Sequence, residues 1–139
     1  MKRETKQASK QVTAVFNALR RLGAASGERI AKSTRLPVAT VGSVLADLSA
    51  AGIASYGRSG LWILECAWFD GVDGKCASSA VEVVTVLNTM RALAMATIEQ
   101  LVKASGLGSV HAAGWSCEQL RKAGRLEYTS TFEGWKLAA

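Results

Sequence analysis

Apolar residues recur at helical spacing over Val12, Val15, Phe16, Leu19 and Leu22, and the same steps return 71 positions later at Val83, Val86, Leu87, Met90 and Leu93. The spacing predicts an amphipathic helix at the head of each of two similar units, so the chain reads as an internal duplication. The register continues through Glu28 with Glu99, Ile30 with Leu101, Lys32 with Lys103 and Leu36 with Leu107. It then slips by one, so that Leu48 meets Leu120, Gly52 meets Gly124 and Tyr56 meets Tyr128. Two further inserted residues align Gly60-Leu61-Trp62-Ile63 with Gly134-Trp135-Lys136-Leu137. Each unit thus spans about 55 to 60 residues, the size of a small domain.

Within a unit, helical periodicity gives way to short runs such as Ile53 to Tyr56 and Leu61 to Leu64 around Gly57-Arg58-Ser59-Gly60, which predicts three helices followed by a hairpin. Gly23 ends helix one, Ser26 or Gly27 opens helix two, Pro37 suits the first turn of helix three, and Gly52 stops that helix. Gly42 and Gly114 fall at matching places inside the two third helices, where they either permit a close approach or are tolerated defects. The expected organisation is a basic N-terminal arm (1–10), a first domain (11–65), a connector (66–80) and a second domain (81–139). Trp68 and Phe69 make the connector a packed segment, not a loose linker.

The run from Glu28 to Leu64, with Ile30 and Ala31 in helix two, a turn ending in Leu36-Pro37, Val41, Val44, Leu45 and Leu48 in helix three, and a glycine-bounded hairpin, resembles the winged helix-turn-helix superfamily of bacterial regulators, including the MarR-like and IclR-like type. Residues 96 to 138 resemble the same pattern, with Gly106, Gly108 and Gly114 loosening the turn and third helix. The resemblance implies a mainly α fold with small β-hairpin wings, in two tandem copies. It also implies that helix two faces the phosphate backbone, helix three enters the major groove and the wing touches the neighbouring groove or backbone.

Charge distribution adds to this picture. The chain of 139 residues carries a net +6. Nine of its basic residues stand between Met1 and Arg35 against Glu4 and Glu28, so that stretch alone holds +7. Carried over by position, Arg29, Lys32 and Arg35 are the backbone-facing candidates, Arg58 sits at the wing tip, and Lys2, Arg3, Lys6 and Lys10 form a basic arm able to follow a groove. Helix three has no Arg, Lys, Asn or Gln between Val38 and Ala51. Ala39, Thr40, Ser43 and Asp47 face outward, and only Thr40 and Ser43 offer hydroxyls to base edges. The corresponding face of unit two offers His111, Ala112, Trp115 and Ser116.

Catalytic chemistry is not written in the sequence. There is one histidine, no nucleophile motif and no phosphate-binding GxxxxGK[ST] loop, so the expectation is a binding protein without cofactors and not an enzyme. Cys66, Cys76, His111 and Cys117 lack the close paired spacing of zinc ligands, and Asp70 and Asp73 lack the other acids of a calcium loop. The odd cysteine count points to buried reduced thiols, and with no spanning segment the expected location is the cytoplasm. Two functions compete. One is a small transcriptional regulator that docks on double-stranded DNA through domain one, with domain two for dimerisation or a second DNA contact. The other is a winged-helix adaptor or inhibitor that binds a protein partner through an apolar surface drawn from Trp62, Trp68, Phe69 and Trp115, without reading DNA.

Overall fold

The first 22 residues contain no glycine or proline and are rich in Lys, Arg, Gln and Ala, residues that lose little on entering a helix. In a computed structural model, which describes residues 2–138 and the side chains from residue 7 on, residues 2–22 form one helix, α1 (Lys2–Leu22). The arm expected at residues 1–10 is therefore the opening of α1, and the hydrophobic stripe that begins at Val12 marks where that helix meets its core. The protein is mainly helical with two small three-stranded antiparallel sheets, and it divides into two compact units, Met1–Val81 and Glu82–Ala139.

In the first unit Gly23 takes φ 80° and returns its N–H to the Leu19 carbonyl at 2.8 Å, which ends α1. A two-residue strand follows, β1 (Ala24–Ala25). Ser26 then caps α2 (Gly27–Thr34) by accepting the Arg29 N–H at 3.2 Å. Pro37 stands one residue ahead of α3 (Val38–Ala50), at the cap and not in the first turn. Gly52, at φ 77°, closes α3 while the Ile53 N–H reaches the Leu48 carbonyl at 2.9 Å. The hairpin is β2 (Ala54–Tyr56) and β3 (Trp62–Leu64).

Helical stripes meet in a core of Val15, Phe16, Leu19, Ile30, Val41, Leu45, Leu48 and Ile53, all essentially sealed from solvent. Burying each such side chain stabilises the fold by about 1.5–3 kcal/mol before entropy is counted. The connector belongs to this unit. A short helix, α4 (Cys66–Asp70), and a 3-10 turn (Val72–Gly74) place Trp68 edge-on to Phe16 at 6.1 Å, and Arg20 Nε donates to the Phe69 carbonyl at 3.1 Å.

The second unit repeats the order with α5 (Ala77–Leu93), which opens ahead of the unit boundary, then β4 (Met95–Ala96), α6 (Ile98–Ser105), α7 (Val110–Lys122), β5 (Leu126–Ser130) and β6 (Gly134–Leu137). Its second and third helices have 8 and 13 residues, the same as α2 and α3. The glycines expected to loosen this region leave α7 intact. Ser109 caps it, and a Cβ at Gly42 or Gly114 would meet nothing within 4 Å, so neither glycine serves a close approach within its unit.

Sheet register corrects the alignment of the final strands. The strand orders are β1-β3-β2 and β4-β6-β5. Trp62 pairs with Ala25 and Tyr56, while Trp135 pairs with Ala96 and Tyr128. Trp62 thus matches Trp135, an offset of 73 where the sequence pattern predicts 74. Because side chains alternate across a strand, that slip would turn every residue of β6 to the wrong face. The second hairpin instead absorbs its extra length in an irregularity between Tyr128 and Ser130.

Two backbone positions give opposite expectations. Gly134 has φ 81°, and a Cβ there would overlap the Ala96 carbonyl oxygen and lie 2.6 Å from the Thr97 Cα. Ala94 has φ 67° at the place where Gly23 ends the matching helix of the first unit. In urea unfolding, Gly134→Ala should destabilise the second unit by more than about 3 kcal/mol, since two backbone segments must separate. Ala94→Gly should stabilise it by about 1 kcal/mol through relief of the left-handed strain.

Candidate nucleic-acid interface

Arg29, Lys32 and Arg35 follow one another at three-residue steps along α2 and its C-cap, which lines them up on one side of the helix. All three are exposed. Among the described residues, no ion pair or side-chain hydrogen bond holds them or Arg58. Arg21, at the end of α1, donates to the Ser33 hydroxyl and adds a fourth cation beside α2, one that the sequence pattern does not single out. Arg58 stands at the tip of a tight turn in which the Gly60 N–H meets the Gly57 carbonyl at 3.1 Å. Lys10 is exposed on α1, and the side chains of Lys2, Arg3 and Lys6 lie outside the described residues.

Arg35 is the informative member. It caps α2 at φ 61°, ψ 25°, a left-handed conformation that costs a side-chain-bearing residue about 1–2 kcal/mol. The matching cap of α6 is Gly106 at φ 78°, where the same turn is made without that strain. A charged residue is therefore held at a position where glycine is the relaxed choice.

The outward face of α3 is smooth. Ala39, Gly42, Ser43 and Ala46 are exposed, Thr40 is half-buried, and Asp47 is half-buried and engaged within the fold. In the second unit His111 is exposed but Ser116 is not. Its side chain is fully buried at the position of Val44, and its hydroxyl has no hydrogen-bond partner among the described residues. The expectation that Ser116 lies on the outer face fails because helical phase alone does not separate a half-buried flank from a buried one. Arg121 and Lys122 lie at the end of α7, and Arg121 is clasped by Glu118, whose carboxyl that hydrogen bond holds below its usual range.

Of the apolar candidates, Trp68 is only 5% exposed and belongs to the core, so it offers nothing to a partner. Trp62 is half-buried and lies 5.0 Å from the Tyr56 ring; Trp115 is half-buried with interactions of its own; Phe69 remains exposed. Among the described residues no three His, Cys, Asp or Glu side chains gather as metal ligands, and no helix is long and apolar enough to cross a membrane.

Of the three thiols only Cys117 is buried, contrary to the expectation for all of them. Burial, with the charge of Glu118 adding to it, pushes Cys117 up to about 12. Cys76 lies 3.2 Å and 3.3 Å from the hydroxyls of Ser78 and Ser79 at the start of α5, and these stabilise its thiolate and lower it to about 7.

Two outcomes are expected. Since the thiolate is the nucleophile, alkylation at Cys76, mapped by mass spectrometry, should rise through a midpoint near pH 7 while Cys117 stays unmodified until the second unit unfolds. Ser116→Val should raise the free energy of unfolding by about 1–3 kcal/mol, because it removes a buried unpaired hydroxyl and restores the residue type of the matching position. A fall in stability would show that the hydroxyl is satisfied in solution.

No family model, no curated protein and no solved structure matches this chain.

Proposed function

We propose that the chain is a tandem pair of winged helix-turn-helix modules and a DNA-binding protein, a small transcriptional regulator and not an enzyme. In this reading its first unit docks on double-stranded DNA, and its second serves dimerisation or a second DNA contact. The order helix, strand, helix, helix, hairpin, with the short strand paired to the far arm of the hairpin, supports the module assignment in both units. The observation that carries the DNA reading is the row of cations on α2, unpaired among the described residues, with Arg35 kept in a strained conformation that its counterpart avoids with glycine.

In such a module α2 runs along the phosphate backbone while α3 enters the major groove. Arg29, Lys32, Arg35 and the wing residue Arg58 supply phosphate contacts, Lys10 adds a cation on α1, and Lys2, Arg3 and Lys6 add positive charge to the same end of the sequence. Thr40 and Ser43 are the remaining groups for base edges. Binding is then governed by shape and charge, with little discrimination among sequences. The smooth face of α3 also favours a second reading, a protein-binding adaptor without DNA readout, for which Trp62, Phe69 and Trp115 would supply contact area.

A titration against random-sequence duplex DNA at two salt concentrations tests the docking. Arg29→Ala, Lys32→Ala and Arg58→Ala should each weaken binding on every sequence and reduce the salt slope by about 0.9 for each phosphate left without its cation. Arg35→Gly should separate function from stability, raising the unfolding free energy by about 1 kcal/mol while weakening binding. Binding and slope unchanged in all four variants would eliminate the phosphate-docking surface and leave the adaptor reading.

A further inference from the structure

The two units carry different residues at several positions that the repeat makes equivalent. Where the first unit joins Arg21 to Ser33, the second has Ala92 and Ala104. Where the first has Ala24 and Arg29, the second has Met95 and Gln100. Three of the replacing residues, Met95, Gln100 and Ala104, line a groove of about 230 Å³ together with Leu93 and Lys103, with Leu93 42% and Met95 44% exposed. Its floor is apolar and its one charge is positive.

The wing tips differ in the complementary sense. The first unit places Arg58 there, and the second places Thr131-Phe132-Glu133. Phe132 is 94% exposed, the most exposed large apolar residue among those described. It is not on a loose loop. Ser130 Oγ accepts the Glu133 N–H at 3.0 Å, Thr129 Oγ1 donates to the Gly134 carbonyl at 2.8 Å, and Gly134 is wedged against the backbone of Ala96. The tip therefore presents a phenyl ring with an adjacent carboxylate on a held backbone, and little backbone entropy remains to be lost on docking.

From this pairing we infer that the second unit self-associates by seating the Phe132-Glu133 tip of one copy in the Leu93/Met95 groove of a second copy. An apolar cavity of about 150 Å³ accepts a benzene molecule, so the groove is large enough for a phenyl ring. With the ring between Leu93, Met95 and Ala104, the Glu133 carboxylate meets the Lys103 ammonium. Neither group is in an ion pair among the described residues. Tip and groove occur in the same unit, and at the matching places the first unit carries cations, Arg21 and Arg29 at one and Arg58 at the other. Reciprocal seating gives a closed pair, and one-way seating gives a head-to-tail chain.

The inference gives a mechanism to the assembly role proposed for the second unit. It is independent of DNA docking by the first, since sedimentation without DNA tests it alone. The full chain should show a concentration-dependent increase in mass. Phe132→Ala, at a fully exposed site whose replacement leaves circular dichroism unchanged, should weaken association roughly ten- to a hundredfold for each seated ring. Lys103→Glu alone and Glu133→Lys alone should each sediment as monomers, because like charges then face each other. An equimolar mixture of the two should associate again, since each tip then meets a groove of opposite charge. A wild-type chain that stays monomeric at high concentration overturns the inference and leaves the groove to another protein. Association that survives all three substitutions unchanged also overturns it, by placing the interface on a different surface.

Discussion

Each unit depends on the pairing of a two-residue strand with the middle strand of its sheet. Ala25 opposite Trp62, and Ala96 opposite Trp135, fasten the end of the first helix and the start of the second to the hairpin that leaves the third. Without those hydrogen bonds the three helices would share a core but no fixed exit angle for the hairpin. Because strand side chains alternate, the register that buries Leu64 also sets Trp62 beside Tyr56. The same rule aligns Trp135 with Tyr128 at 5.2 Å in the second unit. Hairpin tip positions, Arg58 in one unit and Phe132 in the other, follow from the register and from the number of residues between paired strands.

On similar frames the two units carry different surfaces. Third helices of equal length carry Val41, Val44 and Leu45 in the first unit and Ala113, Ser116 and Cys117 at the matching places in the second, a smaller apolar content at one core face. The second unit offsets part of this by burying Trp135 more fully than the first buries Trp62. Polar partners at the end of the first helix are replaced by alanines, and the charge at the hairpin tip is replaced by a phenyl ring. A duplicated fold retains its register because every residue of the sheet depends on it, and surface positions vary because each is coupled to few others.

Much of the architecture is legible because helices and stops announce themselves. The apolar steps of α1 and α5, the caps at Ser26 and Gly52 and the glycine-bounded first hairpin stand where the pattern puts them. The two-residue strands β1 and β4 are invisible, since two residues carry no period and their conformation is selected by the partner strand. The one-residue error in β6 arises from matching Gly60 to Gly134. Both take positive φ, but Gly134 is required by a backbone collision with Ala96 that no local pattern encodes. The cations of α2 are readable as a row. The strain at Arg35 is not, because a cap conformation depends on where the helix ends.

Under the proposed reading, that strain marks the surface each unit uses. Left-handed residues at helix ends are ordinarily glycines, and the matched ends here exchange them: Gly23 against Ala94, and Arg35 against Gly106. A random loss of glycine would fall anywhere. Here the first unit bears its strained residue in the turn between α2 and α3, where the side chain is a guanidinium in line with Arg29 and Lys32. The second unit bears its own between Leu93 and Met95, two walls of its apolar groove. Ala94 adds no charge, so its backbone conformation, not its side chain, shapes the surface there. In one unit the strained position presents a charge, and in the other it turns the backbone between two apolar side chains. Under the proposed reading, one fold thereby serves a polyanion-facing surface in its first copy and a protein-facing surface in its second.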